Sequence, residues 1–199
     1  SLLGPFGYAT YRLLIITDSV PVPLMFTTDA QVPAFKYYVN GKLAGKNGKV
    51  GTSRKNMNPE LSTDFQPFMP NNDTLEIIVQ VANFQIDKGG LIYDIHLGTV
   101  GLINKAKRNN LIINVFLLGC FVIMGLYHIG LYARRPKDKS PLYFALAALN
   151  LSLYFFHISL LFDFMFPGAS FELSFKLLRA TLYLTVPTFT LFVYSLFPK

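Results

Sequence analysis

Few side chains in this sequence are grouped in a way that could carry out covalent chemistry. His96 follows Asp94 by two positions, which on a strand puts both on one face, but no other histidine precedes residue 110 to complete a metal set or an acid–base pair. Gly41, Gly45, Gly48 and Gly51 recur at short intervals without the spacing of a phosphate-cradling loop, and no glycine-flanked serine marks a nucleophile elbow. The single cysteine, Cys120, cannot form a disulfide within the chain. These residues therefore assign no catalytic group, no metal ligand and no cofactor, and the segment is expected not to be an enzyme. The remaining polar groups of interest, Asn114, His128, Asn150 and His157, stand inside apolar runs. There they suit hydrogen bonding between helices, each bond worth about 0.6–2 kcal/mol, better than an ion pathway, which would need a ladder of carboxylates. Lys176 and Arg179 lie one turn apart, with Glu172 four residues before Lys176 and able to pair with it.

The elements that hold these residues divide the chain in two. It has 199 residues, 52% of them hydrophobic and 15% charged, more apolar than an ordinary soluble domain. Before about residue 110 the composition is mixed; afterwards come long apolar runs. The expected division is an extracytoplasmic β-sandwich over 1–105 and a truncated transmembrane region over 106–199. Residues 1–110 carry 11 Lys/Arg against 8 Asp/Glu, and residues 111–199 carry 7 against 3. Neither half has the basic patterning of a nucleic-acid binder.

A bilayer core of about 30 Å needs roughly 20 apolar helical residues. Three runs meet this, at about 111–132, 142–162 and 173–197, so lipid is an expected partner. Arg134, Arg135, Lys137 and Lys139 crowd the link after the first run, whereas the link after the second has Asp163 and Glu172 and no base. Basic loops stay cytoplasmic, so the first helix is expected to run inward and residues 1–110 to lie outside; Lys105, Lys107 and Arg108, just before that helix, run against this. Ser140-Pro141 reads as a helix cap followed by a first-turn proline, and Pro187 should kink the third span. The chain starts at Ser1 and stops at Lys199 just after an apolar run, so it is expected to be a fragment.

The first half reads as strands: Ala9–Thr17, Ala34–Val39, Leu75–Val81 and Leu91–Leu97 are rich in β-branched and aromatic residues. Turn signals separate them at Asn40-Gly41, Asn47-Gly48, Asn71-Asn72-Asp73 and Gly89-Gly90. Alternation puts Ile77, Val79 and Val81 on one face and Glu76, Ile78 and Gln80 on the other. The pattern indicates an antiparallel sandwich or jelly roll. The polar stretch Leu43–Pro70 is expected to include an irregular excursion over one end, where binding sites usually lie.

Tyr11-Arg12-Leu13, the Asn40-Gly41 turn with Gly45 and Gly48 after it, and the late strand Leu75–Phe84 ending Asn83-Phe84 resemble, in order, a galactose-binding jelly roll. Taken with Gly7–Leu13, Gly89-Gly90-Leu91 and Ile95–Gly98, with Leu118-Gly119 and Met124–His128, and with Lys139–Phe144, the chain is similar throughout to bacterial seven-transmembrane receptors with diverse intracellular signalling modules. That resemblance implies a sensory receptor of the bacterial inner membrane. It would bind an extracytoplasmic ligand, with carbohydrate the leading class, and relay the event to a kinase, cyclase or diguanylate-cyclase type module beyond Lys199. A sugar site needs an aromatic platform and planar polar groups; Tyr37, Tyr38, Asn58, Asp64 and Gln66 are the candidates, though alternation sends one of the two tyrosines into the core. A homodimer is left open. So are a membrane-anchored surface protein without signalling output and a transporter component.

Overall fold

A computed structural model describes residues 4–17, 22–28, 34–60, 64–70, 73–87, 89–91, 94–159 and 161–197, with backbone alone at 163. The chain forms two compact units, residues 1–106 and 107–199.

The first unit contains strands β1 (Gly7–Ile16), β2 (Leu24–Thr28), β3 (Ala34–Val39), β4 (Lys42–Asn47), β5 (Asp64–Phe65), β6 (Thr74–Asn83) and β7 (Ile95–Thr99). They form an antiparallel five-stranded sheet in the order β1-β6-β3-β4-β5 and an antiparallel pair β2-β7. Three strands, β2, β4 and β5, lie outside the four expected from sequence. Leu24–Thr28 is short, Lys42–Asn47 is too polar to stand out, and β5 has two residues. Leu91 and Asp94 precede β7, which starts at Ile95 rather than Leu91. The Asn71-Asn72 part of one expected turn lies outside the described residues.

Asn40-Gly41 makes the β3–β4 hairpin. Both residues have positive φ, 46° and 77°, as a two-residue type I′ turn requires. The turn is also tied to β6, since the Glu76 amide donates to Asn40 Oδ1 at 2.8 Å and the Asn40 amide donates to the Glu76 carbonyl at 2.9 Å.

The alternation expected of β6 is observed. Ile77, Val79 and Val81 join Phe35, Tyr37, Val39, Phe65 and Leu75 on the inner face, where Met25 and Phe26 of β2 close the core. The opposite face of the sheet is outward. At one end it is covered by the irregular segment after β4: Met57 packs on Ala34 and Ala82, with Val50 and Phe84 beside them. The expected excursion over one end of the sandwich is therefore present.

Helix α1 (Val100–Arg134) begins eleven residues before the apolar run that revealed it. Thr99 Oγ1 accepts from the Leu102 amide at 3.4 Å, as an N-cap does. Ile103 is buried in the sandwich core and Val100 packs against it. The expected link over Thr99–Asn110 is thus helical from Val100 onward.

In the second unit, α2 (Ser140–Ile158) ends earlier than the run to 162 suggested; the short helix α3 (Leu161–Met165) follows, then α4 (Phe171–Leu196) with Pro187 inside it. The cap expected at Ser140 belongs instead to its predecessor: Ser140 is already helical, and its amide donates to Asp138 Oδ1 at 2.9 Å. Hydrogen bonds from Ser140 hold the Asp138 carboxyl below the usual carboxylate range. The Ser140 hydroxyl donates to the Ser195 carbonyl of α4 at 3.2 Å. Gly125 lets α1 approach α2: a Cβ there would stand 2.6 Å from Leu149 Cγ. Helices α1, α2 and α4 are each long and apolar enough to cross a membrane, and their many exposed large hydrophobics are the surface that lipid would cover.

Candidate functional site

The outward face of the five-stranded sheet gathers most of the sequence-derived candidates. Strand pairing aligns Thr10, Gln80, Lys36, Lys46 and Asp64 in one row across β1, β6, β3, β4 and β5. The neighbouring row holds Arg12, Ile78, Tyr38 and Leu43. Gln66, two residues beyond Asp64, donates through Nε2 to Asp64 Oδ1 at 2.7 Å. Its amide donates to the Ala44 carbonyl at 2.8 Å, which fixes it beside β4. Arg12 Nε lies 2.6 Å from Glu76 Oε1, so this guanidinium has a carboxylate partner on the sheet itself.

A bulge sets which β4 side chains reach this face. From the turn, Val39 pairs with Lys42 and Tyr38 with Leu43; the register then shifts, and Tyr37 pairs with Gly45 and Lys36 with Lys46. Had the register continued unshifted from Tyr38 and Leu43, Lys46 would stand opposite Phe35 and face the core. Gly45 is required at the shift because a Cβ there would lie 2.4 Å from the Phe65 ring. The bulge thus turns Lys46 outward and frees the space that Phe65 fills.

The excursion after β4 forms one border of the face. Lys49 and Asn58 close its base with paired backbone hydrogen bonds of 2.7 and 3.0 Å. Asn56 braces its tip, accepting through Oδ1 from the Ser53 amide at 2.8 Å and the Ser53 hydroxyl at 2.9 Å.

Of the five candidates, Tyr38, Asp64 and Gln66 share the outer face and Asn58 lies at the base of the bordering segment. Tyr37 is inside. It is 1% exposed, its ring meets Phe35 edge-on at 4.9 Å and Phe26 at 6.0 Å, and burial pushes its hydroxyl up to about 12. As a ligand contact Tyr37 is withdrawn, since strand alternation commits it to the core. Lys36, Lys46 and Gln80 share this face and were not among the sequence-derived candidates. Lys36 and Gln80 were within reach of the alternation argument, because they share a face with Tyr38; Lys46 was not, because its orientation depends on the bulge.

In the helical unit Asn150 behaves as expected. It is buried, and Nδ2 donates to the Thr181 carbonyl at 2.8 Å and to Thr185 Oγ1 at 2.9 Å, joining α2 to α4. The two histidines differ from that expectation. Nδ1 of His128 donates to the Met124 carbonyl and Nδ1 of His157 to the Leu153 carbonyl, both at 2.8 Å and both one turn back on their own helices. Glu172 and Lys176 pair at 2.6 Å on the surface, and the Arg179 guanidinium lies 4.7 Å from the centre of the Phe175 ring.

Residues 110–199, which hold all of α2, α3 and α4 and most of α1, match the model of the family described as 7TM diverse intracellular signalling. The match covers 90 of the 199 residues, the helical part of the chain. No curated protein and no solved structure matches the chain. In the 7TM diverse intracellular signalling family the helices form a membrane receptor region with a signalling role, which agrees with three membrane-length helices behind an antiparallel, sheet-rich unit.

Proposed function

We propose that this chain is the sensing and membrane-entry portion of a receptor in the bacterial inner membrane. Its first unit is an extracytoplasmic, galactose-binding-like jelly roll that takes up a carbohydrate on the outer face of the five-stranded sheet. The event passes through the bundle to an intracellular module. The observation that carries this reading is the family match over the helices, with a β-unit directly before them. The loop charges support the orientation: Arg134 ends α1 and three more bases follow it, while the link after α2 has none. The outer face supports sugar binding, for it offers Tyr38 as a platform and, two strands away, the planar groups of Asp64 and Gln66.

Helix α1 supports the relay. A ligand alters the far end of a receptor only through different affinities for two states. Val100 and Ile103 belong to the sandwich core, and the same helix continues to Arg134. Ordering of the β-unit therefore acts on the first turn of α1, the helix that continues into the first span. A flexible Gly-Ser spacer inserted after Asn104 of the complete receptor tests this: the reading expects ligand-dependent output to disappear while the protein still reaches the membrane. Unchanged output would refute coupling through α1.

A further inference from the structure

We infer that the outer face of the sheet selects an acidic oligosaccharide, its carboxylate held between Lys36 and Lys46. This deepens the carbohydrate reading of the same face and rests on it.

The two lysines stand directly opposite each other on β3 and β4. Like charges so placed oppose folding. A hairpin in regular register would have avoided the clash, whereas here a bulge and Gly45 create it. Among the described residues neither lysine forms an ion pair. Lys46 belongs to a stretch, residues 42–58, that contains five bases, Lys42, Lys46, Lys49, Arg54 and Lys55, and no acid. The facing lysine pair concentrates positive charge at this point of the face, and the group that complements it is an anion.

The rest of the face fits a sugar better than a bare ion. Asp64 stands opposite Lys46 on its far side, where a second anion would be repelled but sugar hydroxyls can donate to a carboxylate. Gln66 holds Asp64 in place. Adjacent strands are about 4.8 Å apart, so Lys36 and Asp64 are separated by roughly 10 Å, the reach of two linked pyranose rings. Gln80 flanks Lys36 on β6, and Tyr38 lies in the next row about 7 Å along β3. The segment carrying Met57 closes the end beyond Ala34. One acidic ring over the lysines and a neutral neighbour toward Asp64 match the charges of this row.

The test is titration of the 199-residue chain in nanodiscs with uronate-containing trisaccharides (galacturonate, glucuronate and mannuronate) and their uncharged counterparts. At least one acidic member is expected to bind, and more weakly as salt rises. The Lys36→Gln/Lys46→Gln double variant should lose roughly tenfold to hundredfold in affinity for it. The variant is expected to melt no lower than the parent, because it removes a repulsion. Neutral sugars that bind equally well to parent and variant would overturn the acidic selectivity and leave the carbohydrate reading standing. Absence of binding by every sugar would overturn both.

Discussion

Asn83 offers a direct measure of what holds the sandwich together. It is buried at the end of β6, where its Nδ2 donates to the carbonyls of Pro5 at 2.8 Å and Ile86 at 2.7 Å. Its Oδ1 accepts from the amides of Gln85 at 3.2 Å and Ile86 at 3.1 Å. One side chain thus joins the segment before β1 to the turn after β6. The approach is close enough that a Cβ on Gly89 would lie 2.2 Å from the Pro5 carbonyl oxygen. Asn83→Ala removes four hydrogen bonds, each worth about 0.5–1.5 kcal/mol net, for a loss of roughly 3 kcal/mol. Asn83→Asp keeps an acceptor for the two amides but turns both donors into oxygen facing oxygen, at a cost of about 2 kcal/mol. Hydrogen exchange on the chain in nanodiscs reads this as local opening. Amides of β1 and β6 should exchange about a hundredfold faster in the alanine variant and roughly thirtyfold faster in the aspartate variant. Exchange within about threefold of the parent in both variants would refute the assignment of Asn83 as the tie between these segments.

Three other perturbations have defined outcomes. Gly125→Val places a side chain where a Cβ already meets Leu149 Cγ at 2.6 Å, and should destabilise the helical unit by about 1–3 kcal/mol in denaturant titrations in micelles. Asn150→Leu keeps the branching and heavy-atom count of the side chain but removes both hydrogen bonds to α4; its unfolding midpoint should fall by the equivalent of about 1–2 kcal/mol, and an unchanged midpoint would show that the bonds are replaced. The Asp138 carboxyl is held below its ordinary value by the Ser140 amide, so its contribution to the start of α2 is complete above the unfolded carboxylate pKa and is lost as pH falls through the depressed folded value. The Ser140 amide resonance should titrate with a midpoint below that of an unstructured aspartate and should cease to titrate in that range in Asp138→Asn.

The parts of the fold legible in the sequence were those governed by a period or a composition. Alternation placed Ile77, Val79 and Val81 inward, and sent one of Tyr37 and Tyr38 to the core. Length and hydropathy found three spans, because lipid demands both. What escaped depends on contacts distant in sequence. The start of α1 lies in polar text and is fixed by Thr99 and by burial of Ile103. β4 carries lysines on its exposed positions and a glycine at its bulge, so neither hydropathy nor regular alternation marks it. That bulge is also why the sequence did not place Lys46 on the outer face. Asn150 was recognised as a bridge between helices because a buried amide needs partners, whereas His128 and His157 found theirs one turn back on the same helix, an alternative that the spacing of apolar residues does not distinguish.

The central claim is that the helices cross a bilayer with the β-unit outside the cytosol. Alkaline phosphatase, which is active only after export, tests it most directly when fused after Lys137 and after Asp163 in a bacterial host. High activity at Asp163 with none at Lys137 is the expected result. The reverse pattern, or equal activity at both positions, would contradict the account.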